Sequence, residues 1–445
     1  MKKLLLLFII FFASHTNAQT ISIDRNETVA AMLDEISADS LKSYFQKMVS
    51  FGTRHTLSSQ TNPKRGIGAA RNYVLGKFKE FEKNAAGRLS SFIDTTTIAA
   101  DGRRVDRNIV LGNVMAILQG TDPADKRVFI ISGHLDSRNS NIMDSTGEAP
   151  GANDDASGVA AVIEAARVMS KNHFAATVIF VAVSGEEQGL LGSAFLANKA
   201  KKENLEIGAM LNNDIVGSNN SNETHIVNNT QLRVFSEGIP ATADEKTAQR
   251  IRFLGLENES ASRQLARYVK ETGERYVDQL EVVLVYRPDR FLRGGDHIPF
   301  LKNGFTAVRI TEMNENFTRQ HQDLRTENGI EYGDYLKHID FDYLKKNTSV
   351  NVAVLASLAN APSPPLQPKM DTKELTNSTL LSWQPPANGK IKGFFVLIRE
   401  THSPVWQKKI FTAGHSIRIP YSKDNYLFGV QAVGMDGAES MGVGF

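Results

Sequence analysis

The chain has 445 residues, of which 41% are hydrophobic and 22% charged, an ordinary composition for a globular protein of two or three domains. Lys and Arg number 51 and Asp and Glu 49, so the formal net charge is only +2. This balance argues against nucleic acid or an anionic membrane as a partner. Because the chain has no cysteine, disulfides and thiolate chemistry are excluded, and any metal must be held by His and carboxylate side chains.

Residues 1–18 have the pattern of a secretory signal peptide. Lys2 and Lys3 precede the apolar run 4–13, which is too short to span a bilayer comfortably, and residues 16–18 (Thr-Asn-Ala) form a typical cleavage site. An uncleaved anchor is the alternative interpretation. No later stretch is apolar for long enough to span a membrane. The sequence therefore predicts a periplasmic or secreted protein whose mature chain begins near Gln19.

Residues 19–360 are predicted to form one α/β domain. Segment 19–100 shows mostly helical spacing, and from residue 108 onward short β-branched runs alternate with helical patterns. This alternation predicts a mostly parallel sheet with helices on both faces. Strands are predicted at 113–118, 128–132, 177–183, 209–213, 281–286 and 306–310, and helices at 159–170, 191–200, 260–276 and 347–358.

A second domain is predicted after a proline-rich linker, residues 361–368. Residues 369–445 contain short strands separated by turns and no helical pattern, which predicts a small all-β sandwich. With Trp383 as a core residue and Tyr426 at a strand start, this segment resembles a fibronectin type III module. It would contact either the first domain or a cell-surface partner, and nothing in it predicts a catalytic site.

Candidate metal-binding residues stand at the ends of the predicted strands. His134 and Asp136 follow the second strand, and because residues i and i+2 of an extended segment share a face, Asp136 can orient the His134 ring. Asp154 and Asp155 lie in a turn that opens a helix, with glycines on both sides that favour a sharp bend. Helix capping is the alternative interpretation for this pair, above all for Asp155.

Two adjacent carboxylates, Glu186 and Glu187, directly follow an apolar strand. Burying them there is unfavourable unless a cation holds them. Since neighbouring side chains diverge, one Glu can bind a metal while the other acts as a general base toward an attacking water molecule. A solvated pair at a helix start is the alternative. Asp214 likewise ends an apolar strand, whereas His321 lies in a polar loop and carries no signal by itself.

The combination is more specific than its parts. Over residues 105–325 the chain carries, in order, HLDS, PGANDDASG, SGEEQGLLGS, LNNDIVG and QHQD. In these motifs and their spacing it resembles the M28 family of zinc aminopeptidases. The resemblance implies two zinc ions (Zn²⁺) per chain and peptide substrates with a free N-terminus. It implies these roles: Asp154 bridges both metals, His134 and Asp214 complete one zinc and Glu187 and His321 the other, Glu186 is the general base, and Asp136 orients His134.

The resemblance carries further expectations and one departure. It implies a cis peptide bond between Asp154 and its successor, which is then structural rather than a ligand. Gln320 stands where many members have a Tyr that donates to the developing oxyanion, so the oxyanion donor stays open. Asp296 and His297 match a segment that lines the substrate pocket, with a turn capped by Asp296 as the competing interpretation. Arg287, Arg290 and Arg293 form a basic cluster, and one of them is predicted to bind a substrate carboxylate, which would favour short peptides.

Two other functions compete with the peptidase. Glutaminyl cyclases share this fold and several of these carboxylates while using one zinc, but the GEEQGLLGS segment and the complete set of five ligands favour the peptidase. A non-catalytic cell-surface binding protein, acting through the sandwich, would require a broken metal site, and every matched position is intact. His55 stands alone in a Gly-containing turn, which favours a structural or exposed residue, and a metal ligand is the alternative interpretation.

Overall fold

The computed structural model describes residues 25–445, so the predicted signal peptide lies outside the described residues. The described chain begins with helices that are capped by side chains. Asn26 accepts hydrogen bonds from the main-chain N–H groups of Thr28 and Val29, and Ser37 accepts one from Ser40. The first elements are α1 (Glu27–Asp34), α2 (Ala38–Val49), α3 (Ile67–Glu82), β1 (Leu89–Ile98) and β2 (Ile109–Leu118).

Strand β1 lies within the segment that the sequence predicts to be mostly helical. It pairs in antiparallel register with β2 along its whole length, from Leu89 opposite Leu118 to Ile98 opposite Ile109. The residues of β1 alternate between buried and more exposed positions at its start, as expected for a strand at the edge of a sheet. Because β1 contains several serines and threonines, it lacks the alternation of apolar and polar residues that would predict a strand.

The alternation of strands and helices predicted from residue 108 onward is confirmed. The elements that follow are β3 (Arg127–His134), α4 (Ser157–Met169), β4 (Thr177–Val183), α5 (Leu191–Lys202), β5 (Glu206–Asn213), β6 (Gln231–Phe235), α6 (Glu245–Phe253), α7 (Ala261–Tyr276), β7 (Glu281–Val285), α8 (His297–Lys302), β8 (Ala307–Glu312), β9 (Arg325–Glu327), β10 (Ile330–Tyr332) and α9 (Phe341–Asn360).

Eight of these strands form one sheet in the order β1-β2-β4-β3-β5-β8-β6-β7. The four central strands, β4, β3, β5 and β8, run parallel to one another. Antiparallel pairs flank them, β2 with β4 on one side and β6 with β8 on the other. The predicted fold, a mostly parallel sheet in an α/β domain, is confirmed. Its centre brings four carboxyl strand ends to one edge, where ligand sites form in such sheets.

Helices cover both faces of the sheet, as predicted. Alternate residues of β3 show the two cores: Phe129 and Ile131 join a large cluster with α1 to α4, α7 and α9, whereas Val128 and Ile130 join a smaller one with α5 and α8. Strands buried on both faces tolerate polar side chains only where these have a partner or a function. No helix among residues 25–445 is long and apolar enough to cross a membrane.

The C-terminal residues form two antiparallel sheets, which confirms the all-β part of the predicted fold class. One sheet has the order β11-β12-β15 and the other β14-β13-β16-β17. Trp383 is buried between them and packs edge-on against Phe394, with ring centroids 5.4 Å apart. The strands are β11 (Leu366–Met370), β12 (Thr379–Gln384), β13 (Ile391–Glu400), β14 (Lys408–Thr412), β15 (Ser416–Ile419), β16 (Tyr426–Gly434) and β17 (Val443–Gly444).

The linker between the two domains is shorter than the predicted stretch 361–368. Leu366 already pairs with Gln384, so the last residues of the stretch 361–368 belong to the sandwich. The first two residues of this stretch contact the first domain, because Arg127 donates hydrogen bonds to the carbonyl oxygens of Ala361 and Pro362, at 2.6 and 3.3 Å. The resemblance to fibronectin type III modules stays a prediction.

The sandwich packs against α7 through charged groups that are buried or half-buried. The ammonium group of Lys409 lies 3.0 Å from a carboxylate oxygen of Glu271 and 2.8 Å from one of Glu439. Arg267 donates to the carbonyl oxygen of Pro404, at 2.9 Å, and its guanidinium lies over the Trp406 ring. The sandwich therefore has an intramolecular contact; a cell-surface partner stays a prediction.

Candidate active site

The residues proposed from the sequence meet at the carboxyl edge of the sheet. His134 is the last residue of β3, Glu186 and Glu187 follow β4, Asp214 follows β5, and His321 lies in the loop after β8. The carboxyl ends of four neighbouring parallel strands thus bring the side chains of the separate motifs together. The edge of the sheet, rather than proximity in the sequence, creates the site.

Five side chains form two groups of three that share Asp154, and each group could hold a metal ion. In the first group, His134 Nε2 lies 2.9 Å from Asp154 Oδ1 and 3.8 Å from Asp214 Oδ1. In the second, His321 Nε2 lies 2.9 Å from Asp154 Oδ2 and 2.8 Å from Glu187 Oε1. Asp154 therefore presents one carboxylate oxygen to each group, the arrangement that a bridging ligand requires.

The tautomer of His134 fits a metal ligand. Its Nδ1 lies 3.1 Å from the main-chain carbonyl oxygen of Asp136, which can only accept a hydrogen bond. The ring therefore carries a proton on Nδ1, which leaves Nε2 as the nitrogen that faces the carboxylates of Asp154 and Asp214 and that can bind a metal when it carries no proton. Acceptor atoms facing one another in a buried place call for a cation between them.

Glu187 gives the second indication that a metal fits. Its Oε1 is buried and lies 2.8 Å from His321 Nε2 without the geometry of a hydrogen bond among residues 25–445, and three candidate ligand atoms converge there. Imidazole nitrogens and carboxylate oxygens, without thiolates, form a donor set that suits Zn²⁺. The residues present therefore fit the metal that the sequence predicts.

Electrostatics favour positive charge at this place. Burial alone would raise the pKa of Asp154, but the imidazoles of His321 and His134 hold that pKa well below its ordinary value. Burial likewise opposes the charged form of His321, yet Glu187 and Asp154 raise its pKa to about 9. Protons on the imidazoles balance part of the negative charge of these carboxylates, and a metal ion would balance it more completely.

Asp136 contacts His134 in a different way from the one predicted. Its main-chain oxygen orients the ring, while its carboxylate lies 3.8 Å from Nδ1. That carboxylate instead accepts hydrogen bonds from the main-chain N–H groups of Gly185 (2.9 Å), Glu186 (3.2 Å) and Glu187 (3.0 Å). Asp136 thus fixes the turn that carries the two glutamates as well as the ring of His134.

The turn around Asp154 is shaped by its neighbours. Gly151 has φ +52°, a left-handed conformation that favours glycine, and the Asp154–Asp155 peptide bond is cis, as predicted. Asp155 is fully buried, and its carboxylate accepts hydrogen bonds from the main-chain N–H groups of His134 (2.9 Å) and Gly158 (2.8 Å). Asp155 therefore ties β3 to the start of α4, which agrees with the structural interpretation.

A cavity of about 430 Å³ opens over both groups. Glu186 lines it beside the candidate ligands, and burial, reinforced by Glu187 and Asp214 and opposed by His134, raises the pKa of Glu186 well above its ordinary value. Gln320 also lines the cavity, but its amide nitrogen donates to Asp154 Oδ2 at 3.2 Å. The amide of Gln320 thus supports the shared carboxylate in this structure.

Among the predicted pocket residues, Arg293 lines the cavity, whereas Asp296 and His297 do not. Both are fully buried behind it. His297 Nε2 contacts the carbonyl oxygen of Pro288 at 2.7 Å, and burial raises the pKa of Asp296 to about 7. Asp296 makes no side-chain hydrogen bond to the start of α8, so the capping interpretation is not supported either.

The structure adds residues that sequence reasoning did not identify. Arg309 pairs with Asp214 at 2.9 Å, and Arg138 lies between Glu187 Oε2, at 2.9 Å, and His321 Nδ1, at 2.6 Å. Arg309 had a signal, since a charged residue within a buried strand must have a partner. Arg138, in a polar loop, had none.

Two further residues near the site have supporting roles. Asp334 Oδ2 accepts a hydrogen bond from the main-chain N–H of Asp154 at 2.8 Å, and burial raises the pKa of Asp334 to about 7. His55 accepts a hydrogen bond from the Leu57 N–H at Nδ1 and donates from Nε2 to the carbonyl oxygen of Ile142. With both ring nitrogens engaged in a turn, His55 is structural.

The fold and the site together define an enzyme of the metallopeptidase class, and the comparisons with known proteins agree. Residues 113–354 match the family model described as peptidase family M28. The chain is also 41% identical to a probable zinc metalloprotease from the fungus Leptosphaeria maculans, over 94% of this chain and 96% of the relative. The chain therefore belongs to peptidase family M28, which confirms the family predicted from the motifs.

Solved structures share the fold at lower identity. The LapA aminopeptidase of Legionella pneumophila is 19% identical, with a TM-score of 0.52 over 76% of each chain. The glutaminyl cyclase of Porphyromonas gingivalis is 18% identical, with a TM-score of 0.50 over 72% of this chain and 98% of the other. Both similarities concern the fold alone and do not distinguish the two activities.

Proposed function

We propose that the protein is an exported aminopeptidase that uses two zinc ions to hydrolyse the N-terminal peptide bond of peptides. The observation that carries this proposal is the pair of three-residue groups joined by Asp154, one carboxylate oxygen facing each group. His134 and Asp214 would hold one zinc with Asp154, and Glu187 and His321 the other. Bound zinc lowers the pKa of a water molecule and polarises a carbonyl group.

Glu186 is the proposed general base. It lines the cavity next to both groups, while its neighbour Glu187 points into the second group. Glu186 accepts a proton from the attacking water and delivers it to the amine that leaves when the peptide bond breaks. Asp136 holds the main chain of both glutamates, so each keeps its own direction.

Action at the N-terminus follows from the charge of the cavity. The free amino group of a peptide is basic, and it can bind a zinc ion through its lone pair or pair with a carboxylate of the cavity floor, where Asp154, Glu186 and Glu187 lie. An internal peptide segment offers only a neutral amide there and gains nothing from these charges. The proposed metal site on the cavity floor thus supports a preference for a free terminal amine.

The competing activity, cyclisation of N-terminal glutamine by a single zinc, is tested by counting the metal. Two complete groups of ligand atoms favour two ions per chain. Elemental analysis of the purified protein should give two zinc ions, and N-terminal leucine, alanine or lysine should be released from peptides. One zinc per chain together with cyclisation of N-terminal glutamine would replace the aminopeptidase proposal.

A substitution of Glu186 tests the mechanism. Glu186→Ala should keep both zinc ions and lose turnover on aminoacyl-amide and dipeptide substrates, because the site loses its base and none of its ligands. Glu203→Ala, an exposed glutamate after α5, is the matched control and should behave as the parent protein. An active Glu186→Ala variant would show that the base is another residue.

Export rests on the sequence of residues 1–18, with its two lysines and apolar run. The full-length chain expressed in a bacterial host should appear in the periplasm or medium with an N-terminus near Gln19. Replacement of Leu6 and Phe8 by arginine should retain the chain in the cytoplasm. Recovery of an uncleaved chain in the membrane fraction would support the anchor instead.

A further inference from the structure

Four arginines line the same cavity as the acidic floor: Arg104, Arg138, Arg290 and Arg293. A cavity with acids at its floor and cations around them suits a ligand that carries both charges. Which arginine is available for a ligand can be decided from the contacts that each one already makes.

Three of the four arginines are engaged by the protein. Arg104 donates to the main-chain carbonyl oxygen of Glu187 at 2.7 Å, and Arg138 pairs with the carboxylate of the same residue at 2.9 Å. Arg290 pairs with Glu315 at 2.7 Å and lies 3.3 Å from an oxygen of Asp289. These contacts use the cations to hold the walls of the cavity.

Arg293 is different. Its guanidinium makes no hydrogen bond or ion pair in the part of the chain from 25 to 445, and the residue is exposed at the mouth of the cavity. Its main chain nevertheless has fixed neighbours on both sides. Arg290 before it is held by Glu315, and the carbonyl oxygen of Gly294 after it accepts a hydrogen bond from buried Arg309 at 3.1 Å. A free cation is thus presented from an anchored loop.

We propose that Arg293 binds the C-terminal carboxylate of short peptides, so that dipeptides with both ends free are the preferred substrates. This inference rests on the proposed aminopeptidase function and specifies its substrate class. The amine end lies at the proposed metal site on the floor, and the carboxylate end meets a guanidinium whose paired N–H groups match two oxygens.

The size of the cavity agrees with this substrate class. About 430 Å³ is near the lower end of the roughly 300–1,000 Å³ typical of small-molecule sites. An extended residue spans about 3.5 Å, so a dipeptide places its two charged ends within the same small cavity. A longer peptide carries its terminal carboxylate past Arg293 and gains nothing from it.

The test compares substrates that differ only in the terminal charge. The zinc-loaded protein is assayed on dipeptides with leucyl, alanyl, lysyl or glutamyl N-termini followed by phenylalanine, each as free acid and as C-terminal amide. The acid should be favoured over the amide in kcat/KM by roughly tenfold or more, the range of a hydrogen-bonded charge pair. In Arg293→Met this preference should vanish because kcat/KM falls for the free acid and does not change for the amide. Arg293→Lys should retain part of the preference.

Two controls separate the cation from its loop. Arg287→Met removes an exposed arginine of the same loop, which stacks on Phe291 and does not line the cavity, and it should keep the preference for the acid. An octapeptide with the same first two residues should be cleaved equally by the parent protein and by Arg293→Met.

The outcomes are distinct. Equal rates on acid and amide in the parent protein, or an unchanged preference in Arg293→Met, overturn the assignment of Arg293 and leave the aminopeptidase function standing. Failure of the zinc-loaded parent protein to cleave any of these peptides overturns the aminopeptidase proposal and, with it, this inference.

Discussion

Two regions of the molecule each bring several charged groups together, the candidate metal centre and the contact between α7 and the sandwich. At the contact, every carboxylate lies within 3.5 Å of a basic group: Glu259 near Arg267, Glu271 near Lys409, and Glu439 near Lys409 and Arg275. At the metal centre, Asp154 forms ion pairs only with imidazoles among residues 25–445.

This difference shows how a metal site can be recognised before a metal is seen. Charges that already have partners need nothing more, and they hold two parts of the chain together. Acceptor atoms that converge on one another, as His134 Nε2 and Glu187 Oε1 do on Asp154, are unfavourable until a cation joins them. The first kind of cluster should therefore be insensitive to metal and the second should depend on it.

Removal of the metal should have the largest effect. A chelator should abolish peptidase activity and lower the melting temperature, because an ion bound only by the folded state stabilises it by about 3–4 kcal/mol at 100 to 1,000 times its Kd. Calorimetry with and without zinc measures the shift, and added zinc should restore both properties. A melting temperature that changes with neither chelator nor zinc would contradict the inference that the converging acceptor atoms need a cation.

Asp154→Asn should come next. An amide can no longer offer a charged oxygen to both groups, so kcat/KM should fall by roughly a thousandfold or more, as for residues that act as one unit. Elemental analysis should show less than two zinc ions per chain. Retention of two tightly bound ions would show that the groups do not share this carboxylate. Glu203→Gln serves as the control.

Asp136→Asn should have an intermediate effect. The side chain keeps its size but places an amide N–H₂ group against main-chain N–H donors of the 185–187 turn. Loss of such a supporting contact typically costs 10- to 100-fold in metal affinity or activity. Competition with a coloured chelator measures the zinc affinity. An unchanged affinity would mean that the main-chain oxygen alone orients His134.

Lys409→Met should have the smallest effect on catalysis. It leaves Glu271 without its cation, whereas Glu439 keeps Arg275 at 3.5 Å, so the free energy of unfolding should fall by about 1 kcal/mol. Because no metal ligand is involved, kcat/KM at 25 °C and the zinc-induced rise in melting temperature should match those of the parent protein. A loss of zinc binding in this variant would remove the distinction between the two regions.

The sequence predicted those parts of the site that stand in local patterns. His134, Asp154 and Glu187 each follow an apolar run or lie in a Gly-rich turn, and these patterns predicted their meeting at the edge of a parallel sheet. His321 was reached only through the resemblance, because a polar loop has no periodicity that fixes its place. The assignment of roles to these residues stays a prediction that the experiments above test.

Other features could not be predicted because they depend on packing between distant segments. Arg138 meets His321, 183 positions away, and nothing near either residue indicates that contact. Asp296 fitted both a pocket residue and a helix cap, and only the course of the loop before α8 shows that its side chain is not among those lining the cavity and makes no capping hydrogen bond. The sequence did not predict strand β1, because its serines and threonines interrupt the apolar alternation and its partner strand β2 follows only after a loop.

The order in which the ligands occur along the chain has a consequence for biosynthesis. His134, Asp154, Glu187 and Asp214 are made early, but the second group is completed only by His321, and the sheet edge that holds it also needs β8. A growing chain that ends before this point has no complete site. The peptidase therefore gains its activity only after most of its first domain has been made, when α9 can close over the sheet.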